Sequence, residues 1–246
     1  SSWENIEKTY LEARKQLGEI LSAVEMIDGV ALDMCLKINK DVSPLESGAY
    51  PYYLLLETNG SRAEHDEAKL EAFLESTMES GIVADGTLAE NETKSKHIWT
   101  MREACAIAPN ALGYVRWYDI CMPAAKMAEL VEGARAMMAK EGLDKKGGHV
   151  IGFGHLGDGN LHLNLVCEPK YDEEIVKAVD KYIYTYSAER RYSVSAEHCI
   201  GVQKRDYLGY SKDDPSIEYM KKMKKMFDPK GILNPYKIFD VTDAPK

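Results

Sequence analysis

Five cysteines are scattered through 246 residues (Cys35, Cys105, Cys121, Cys167 and Cys199), odd in number and without a CxxC pair. That argues against a disulfide framework and a thiolate zinc site, and a reducing compartment fits better. No apolar run approaches the ~20 residues that span a bilayer, so no transmembrane helix is expected. No signal or transit peptide is visible. The chain opens directly on a helix-like Ser1-Ser2-Trp3-Glu4, so it is expected to start mid-protein, where a missing leader carries no information. An excess of positive charge is also lacking: 31 Lys and Arg against 40 Asp and Glu leave a net charge of −9. A phosphate-neutralising surface for nucleic acid needs a basic stripe, and Lys221–Lys225 is only a short solvated helix face. No GxGxxG opens a helix, because Gly152-Phe153-Gly154 leads into a turn, so nucleotide binding by those glycines is not expected.

The 45% hydrophobic content is enough for a sizeable core. With no low-complexity linker and no tandem repeat, one domain over 1–246 is expected. Apolar spacing predicts helices over Glu4–Met26, Arg62–Ser80, Lys94–Ala108, Ala124–Lys140, Asp172–Arg190 and Ile217–Phe227. Strands are predicted at Tyr52–Glu57, Ile82–Asp85, Tyr114–Ile120, His149–His155, Leu161–Val166 and Tyr192–Ser195. Two strand–helix–strand passes with short connections give an α+β fold, an antiparallel sheet with helices packed on one face.

The segment from Gly152 to Asn164, GFGHLGDGNLHLN, carries the most chemistry. Asp158-Gly159 favours a two-residue turn, because both tolerate positive φ. Counting outwards from that pair, Leu156 faces Leu161 and His155 faces His162. Opposed residues share a face with Cβ atoms ~5 Å apart. Two such imidazoles can reach one metal at ~2.0–2.1 Å from each nitrogen, or can each be an ordinary half-buried polar side chain. Asn164, two residues on, returns to the same face, where its amide can contact a ligand. In Ser193-Val-Ser-Ala-Glu-His-Cys-Ile-Gly201, adjacent Glu197 and His198 are expected to diverge. Glu197 then completes a His₂-carboxylate set with open coordination positions, and His198 stays free to accept a proton. The alternative is an ordinary surface Glu-His pair.

These residues carry a resemblance. GHLGDGNLHLN, SVSAEHCIG and DPKGILNPYK are similar to the C-terminal domain of FAD-linked oxidases of the vanillyl-alcohol oxidase type. LGEILSAVEMID, GIVADGTLAE, IWTMREA and YVRWYD extend the likeness over nearly the whole chain. They match best the branch of D-2-hydroxy acid dehydrogenases that act on D-2-hydroxyglutarate or D-lactate. The resemblance implies FAD as cofactor, bound mainly by an N-terminal domain absent from this chain, which would then be inactive alone. It implies a divalent metal, typically zinc, on His155, His162 and Glu197, with His198 as general base. Asn164 would contact substrate and Arg102 would clamp its carboxylate. It further implies oxidation of a small 2-hydroxy acid by hydride transfer to flavin, an electron-acceptor protein or quinone, a homodimer and a mitochondrial location.

Three positions depart from that pattern. Cys199 replaces the first Gly of AEHGIG. Ala106 stands where relatives specific for 2-hydroxyglutarate carry Thr, and Trp117 where they carry a Lys for the distal carboxylate. Arg116 is the candidate replacement for that Lys. Two other classes compete: a scaffold protein of the actin-interacting kind, with Tyr182–Tyr186 exposed, and a metal hydrolase using the same His-His-Glu set.

Overall fold

A computed structural model describes residues 2–38, 45 and 50–239. Its centre is a five-stranded sheet in the order β2-β1-β4-β5-β3. The strands are β1 (Leu21–Asp28), β2 (Tyr52–Thr58), β3 (Tyr114–Cys121), β4 (Gly148–His155) and β5 (Asn160–Cys167). Every pairing is antiparallel. The helices are α1 (Trp3–Gln16), α2 (Gly29–Ile38), α3 (Ala63–Glu79), α4 (Glu92–Ile107), α5 (Met127–Glu141), α6 (Glu173–Arg190), α7 (Leu208–Ser211) and α8 (Asp214–Phe227). Among the described residues, no helix is long and apolar enough to cross a membrane.

The antiparallel α+β arrangement is as expected, but helices cover both faces of the sheet rather than one. On the first face, Leu130, Val131, Ala134 and Met138 of α5 and Ile175, Val179 and Ile183 of α6 pack on Val150, Leu161, Leu163 and Leu165. On the second, Ala31, Leu32 and Cys35 of α2 and Met101, Ala104 and Cys105 of α4 pack on Ile27, Ile151, Phe153 and Val166. The alternation of Val150 with Ile151 and of Leu165 with Val166 between the two clusters is the period-two signature of strands buried on both sides.

The expected helix over Glu4–Met26 ends at Gln16, and Leu21–Asp28 is a strand. From Val24 to Asp28 every residue is buried. A strand covered on both faces shows no alternation, so its run of apolar residues cannot be told from a buried helix by spacing. Ile82–Asp85 is irregular, and Tyr192–Ser195 contributes a single bridge, Cys121 to Ser193. The remaining predicted helices and strands are present within a few residues of their expected ends. Close packing between α5 and the sheet accounts for Gly152: a Cβ there would lie 2.7 Å from Val131.

Candidate active site

The site lies on the second face, where β4 and β5 meet the loop that follows α6. The hairpin register differs from the expected one. Phe153 pairs with His162 and His155 with Asn160, which leaves a four-residue connection, Leu156–Gly159. Gly159 has φ +81 and sits so close to Met122 that a Cβ would lie 2.5 Å from its carbonyl oxygen. Compared with a two-residue turn, the pairing is shifted by two positions. An even shift keeps every side chain on its face. His155 and His162 are therefore diagonal rather than opposed, yet their rings still meet, with centroids 5.1 Å apart.

The edge strand β3 brings in the distant Glu197-His198 pair. Cys121 and Ser193 exchange backbone hydrogen bonds at 3.3 and 3.1 Å, and the Ala196 amide donates to the Asp119 carbonyl at 3.0 Å. The Asp119 carboxylate then accepts from the amides of Glu197 (2.9 Å) and His198 (2.8 Å) and lies 3.5 Å from the Lys204 ammonium. Burial alone would raise the Asp119 pKa. The His198 and Glu197 amides and the Lys204 charge outweigh it and hold the carboxyl below its ordinary value.

So anchored, Glu197 and His198 converge rather than diverge. Glu197 Oε1 lies 3.3 Å from His162 Nε2, 3.4 Å from His198 Nε2 and 3.7 Å from His155 Nε2. The His198 ring stacks on His162 at 5.2 Å with an 11° interplanar angle. Cys199 explains part of this turn: its φ of +61 is left-handed, the conformation for which glycine is the low-strain residue.

Arg102 reaches the same place from α4. Its guanidinium lies over the Phe153 ring at 5.2 Å, and Phe153 contacts His162. Arg102 Nε donates to Glu25 Oε2 at 2.8 Å, while the other Glu25 oxygen is 2.8 Å from His155 Nδ1. Arg102 Nη2, His162 Nδ1 and Asn164 Nδ2 are buried with no hydrogen-bond partner among the described residues. Orphaned buried polar atoms are costly unless a ligand satisfies them, and these three share one face of the molecule.

The donor set fits a divalent cation. Donor atoms of Asp119, His162, Glu197 and His198 all lie within 4.8 Å of one another, and His155 Nε2 borders them through Glu197. Burial, with Arg102 and His155 nearby, pushes His162 down to about 3, so it is neutral at physiological pH. A neutral imidazole offers the lone pair that coordination needs. His162 and Glu197 of the expected ligand set lie in this cluster and His155 borders it, while Asp119 keeps one buried oxygen without a partner among the described residues although its other oxygen is engaged by two backbone amides.

Arg116 is the one expected site residue placed elsewhere. It points to the first face and forks onto Asp180 of α6 at 3.2 and 3.1 Å. Its strand neighbour Trp117 faces the site instead, paired in register with Asn164 and 46% exposed. Sequence reasoning missed Glu25, hidden in the misread strand β1, and Asp119. A lone carboxylate within Tyr114–Cys121, a strand otherwise rich in aromatic and apolar residues, was the available signal for Asp119.

The profile of FAD linked oxidases, C-terminal domain, matches residues 1–238. The chain is 42% identical over 237 residues to a mitochondrial D-2-hydroxyglutarate dehydrogenase of Danio rerio, covering 96% of this chain and 43% of that protein. It is 38% identical to a putative mitochondrial D-lactate dehydrogenase of Schizosaccharomyces pombe, over 96% of this chain and 46% of that protein. The chain thus spans less than half the length of these curated relatives. Among solved structures, 4-ethylphenol oxidase from Gulosibacter chungangensis matches with a TM-score of 0.60 at 15% identity, over 96% of this chain and 51% of that one. An alkyldihydroxyacetonephosphate synthase matches at 0.53 and 11%, over 95% of this chain and 42% of that one; both likenesses concern the fold alone. Matched over nearly its whole length, the chain belongs to the FAD linked oxidases as their C-terminal domain.

Proposed function

We propose that this chain is the substrate half of a mitochondrial FAD-dependent dehydrogenase that oxidises D-2-hydroxyglutarate to 2-oxoglutarate. The convergence of His155, His162, Glu197 and His198 beside the unpartnered Arg102 Nη2 is the observation that supports it. The names of the relatives supply the substrate and the compartment. His155, His162 and Glu197 would hold a divalent metal, with zinc suited to this nitrogen and oxygen set. When bound, that metal would supply Lewis acidity toward the substrate hydroxyl, and the flavin would supply a hydride acceptor.

The chain's own residues do the rest. Arg102 orients the substrate carboxylate through its free Nη2, and Asn164 Nδ2 donates to a substrate oxygen. His198, half-exposed and stacked on His162, takes the hydroxyl proton. Asp119 holds its backbone in place. The electron acceptor is a protein or quinone outside this chain.

A second reading, a D-lactate dehydrogenase, is favoured by one observation. With Trp117 on the site face and Arg116 engaged by Asp180, neither position offers a cation to a distal carboxylate. Steady-state kinetics of the full-length flavoprotein with both acids separate the two. The primary reading requires a higher kcat/KM for D-2-hydroxyglutarate, and a reversed preference selects D-lactate. Absence of turnover with either acid overturns both.

A further inference from the structure

Glu25 lies on β1, between β2 and β4, only 4% exposed, with each carboxylate oxygen committed to a different side chain of the candidate site. Oε2 accepts from Arg102 Nε at 2.8 Å, and Oε1 faces His155 Nδ1 at 2.8 Å. The register fixes the second contact, because Glu25 and His155 are direct partners across β1 and β4. A carboxylate is acceptor-only, so His155 must carry its proton on Nδ1 and donate it. Nε2 is thereby left as a bare lone pair, aimed at Glu197 3.7 Å away. On the other side, tying down Arg102 Nε sets the guanidinium so that Nη2 stays buried and unpartnered.

We propose that Glu25 is a positioning residue that sets the tautomer of His155 for metal ligation and, with the same group, orients Arg102 for the substrate carboxylate. This rests on the metal reading of His155, His162 and Glu197. Carboxylate partners of ligating imidazoles have this effect generally, and their loss typically weakens metal binding about 10–100-fold.

Glu25→Gln isolates the tautomer. Arg102 Nε is always a donor, so the amide oxygen must face it and the amide NH₂ must face His155. His155 Nδ1 must then accept, which moves its proton to Nε2 and blocks the coordinating nitrogen. Replacing Arg102 as well, in E25Q/R102M, frees the amide to turn its oxygen to His155 and restores the ligating tautomer.

The test measures Zn²⁺ affinity of the full-length protein by competition with a chromophoric chelator, and the visible spectrum of its Co²⁺ form. Glu25→Gln should weaken Zn²⁺ binding about 10–100-fold and alter the Co²⁺ bands, while E25Q/R102M should return to within about threefold of the parent. A merely structural Glu25 predicts no such recovery. Parental affinity in Glu25→Gln, or a double variant as weak as the single one, overturns the positioning role and leaves the metal site standing. Failure of the parent protein itself to bind Zn²⁺ overturns the metal reading and this inference together.

Discussion

Each face of the sheet sets an arginine against a carboxylate, buried on the second face and partly buried on the first, and the two pairs are built differently. On the first face, Arg116 forks onto both oxygens of Asp180, and the Tyr118 hydroxyl donates to the same group. Burial works against the Arg116 charge, but Asp180 outweighs it and raises the pKa above its ordinary value. That pair is closed. On the second face, Arg102 gives only Nε to Glu25, Glu25 is shared with His155, and Nη2 is left over. The difference is one of saturation: the first pair uses both carboxylate oxygens on one arginine, whereas the second leaves a buried donor, Arg102 Nη2, without a partner among the described residues.

The largest test of that contrast exchanges roles between the two arginines. Arg102→Lys keeps the charge but loses the fork, and kcat/KM should fall about 10–150-fold, as expected for losing a hydrogen bond to a charged group. Arg116→Ala should leave kcat/KM within about twofold yet lower the unfolding free energy by about 1.5–3 kcal/mol, because the largely buried Asp180 is left with only the Tyr118 hydroxyl. Steady-state kinetics and urea titrations of both variants check the crossover. If Arg116→Ala loses activity instead, the two faces are not divided as described.

An intermediate effect concerns pH. His162 is pushed down to about 3, first by burial and then by Arg102 and His155, from an ordinary value of 6.5. Below pH 6.5 the unfolded chain binds a proton that the folded one refuses. Stability contributed by the neutral imidazole is therefore fully present above about 6.5 and is lost as pH falls towards 3. The slope from this one group is at most about 1.4 kcal/mol per pH unit. Denaturant titrations in the presence of a chelator should show it, and His162→Gln should flatten the curve across that window. The first face offers no such buried histidine, so substitutions there should leave the acid limb unchanged.

The smallest effect lies in the loop. Cys199 takes a left-handed φ of +61, and Cys199→Gly should relieve that strain. The left-handed penalty of about 1–2 kcal/mol is offset by the greater freedom of glycine when unfolded, so a net gain below about 1 kcal/mol is expected in thermal unfolding. A loss of stability would show that the thiol makes a contact worth more than the strain.

Much of the site was legible because its signals are local. His155 and His162 share a face in any register reached by an even shift, so a wrong turn length still put them together. Asn164 followed from the period of its strand and lies on the expected face, whereas Arg102 came from a family motif and reaches that face over Phe153. Arg116 failed for a reason the sequence already contained: in β3 it alternates with Trp117, and only one of two neighbours can face the site. Strand β1 was lost because continuous burial erases alternation, and Glu25 was lost with it.

The sequence by itself determined the family, the antiparallel class and the side chains that share the hairpin's face, because those depend on motif spacing and on the period of each element. Only the tertiary structure decided that helices cover both faces, that Asp119 draws Glu197 and His198 onto the hairpin, and that Glu25 joins His155 to Arg102. Each of these is a contact between segments far apart in the chain, set by which strands become neighbours, and no local pattern encodes that choice.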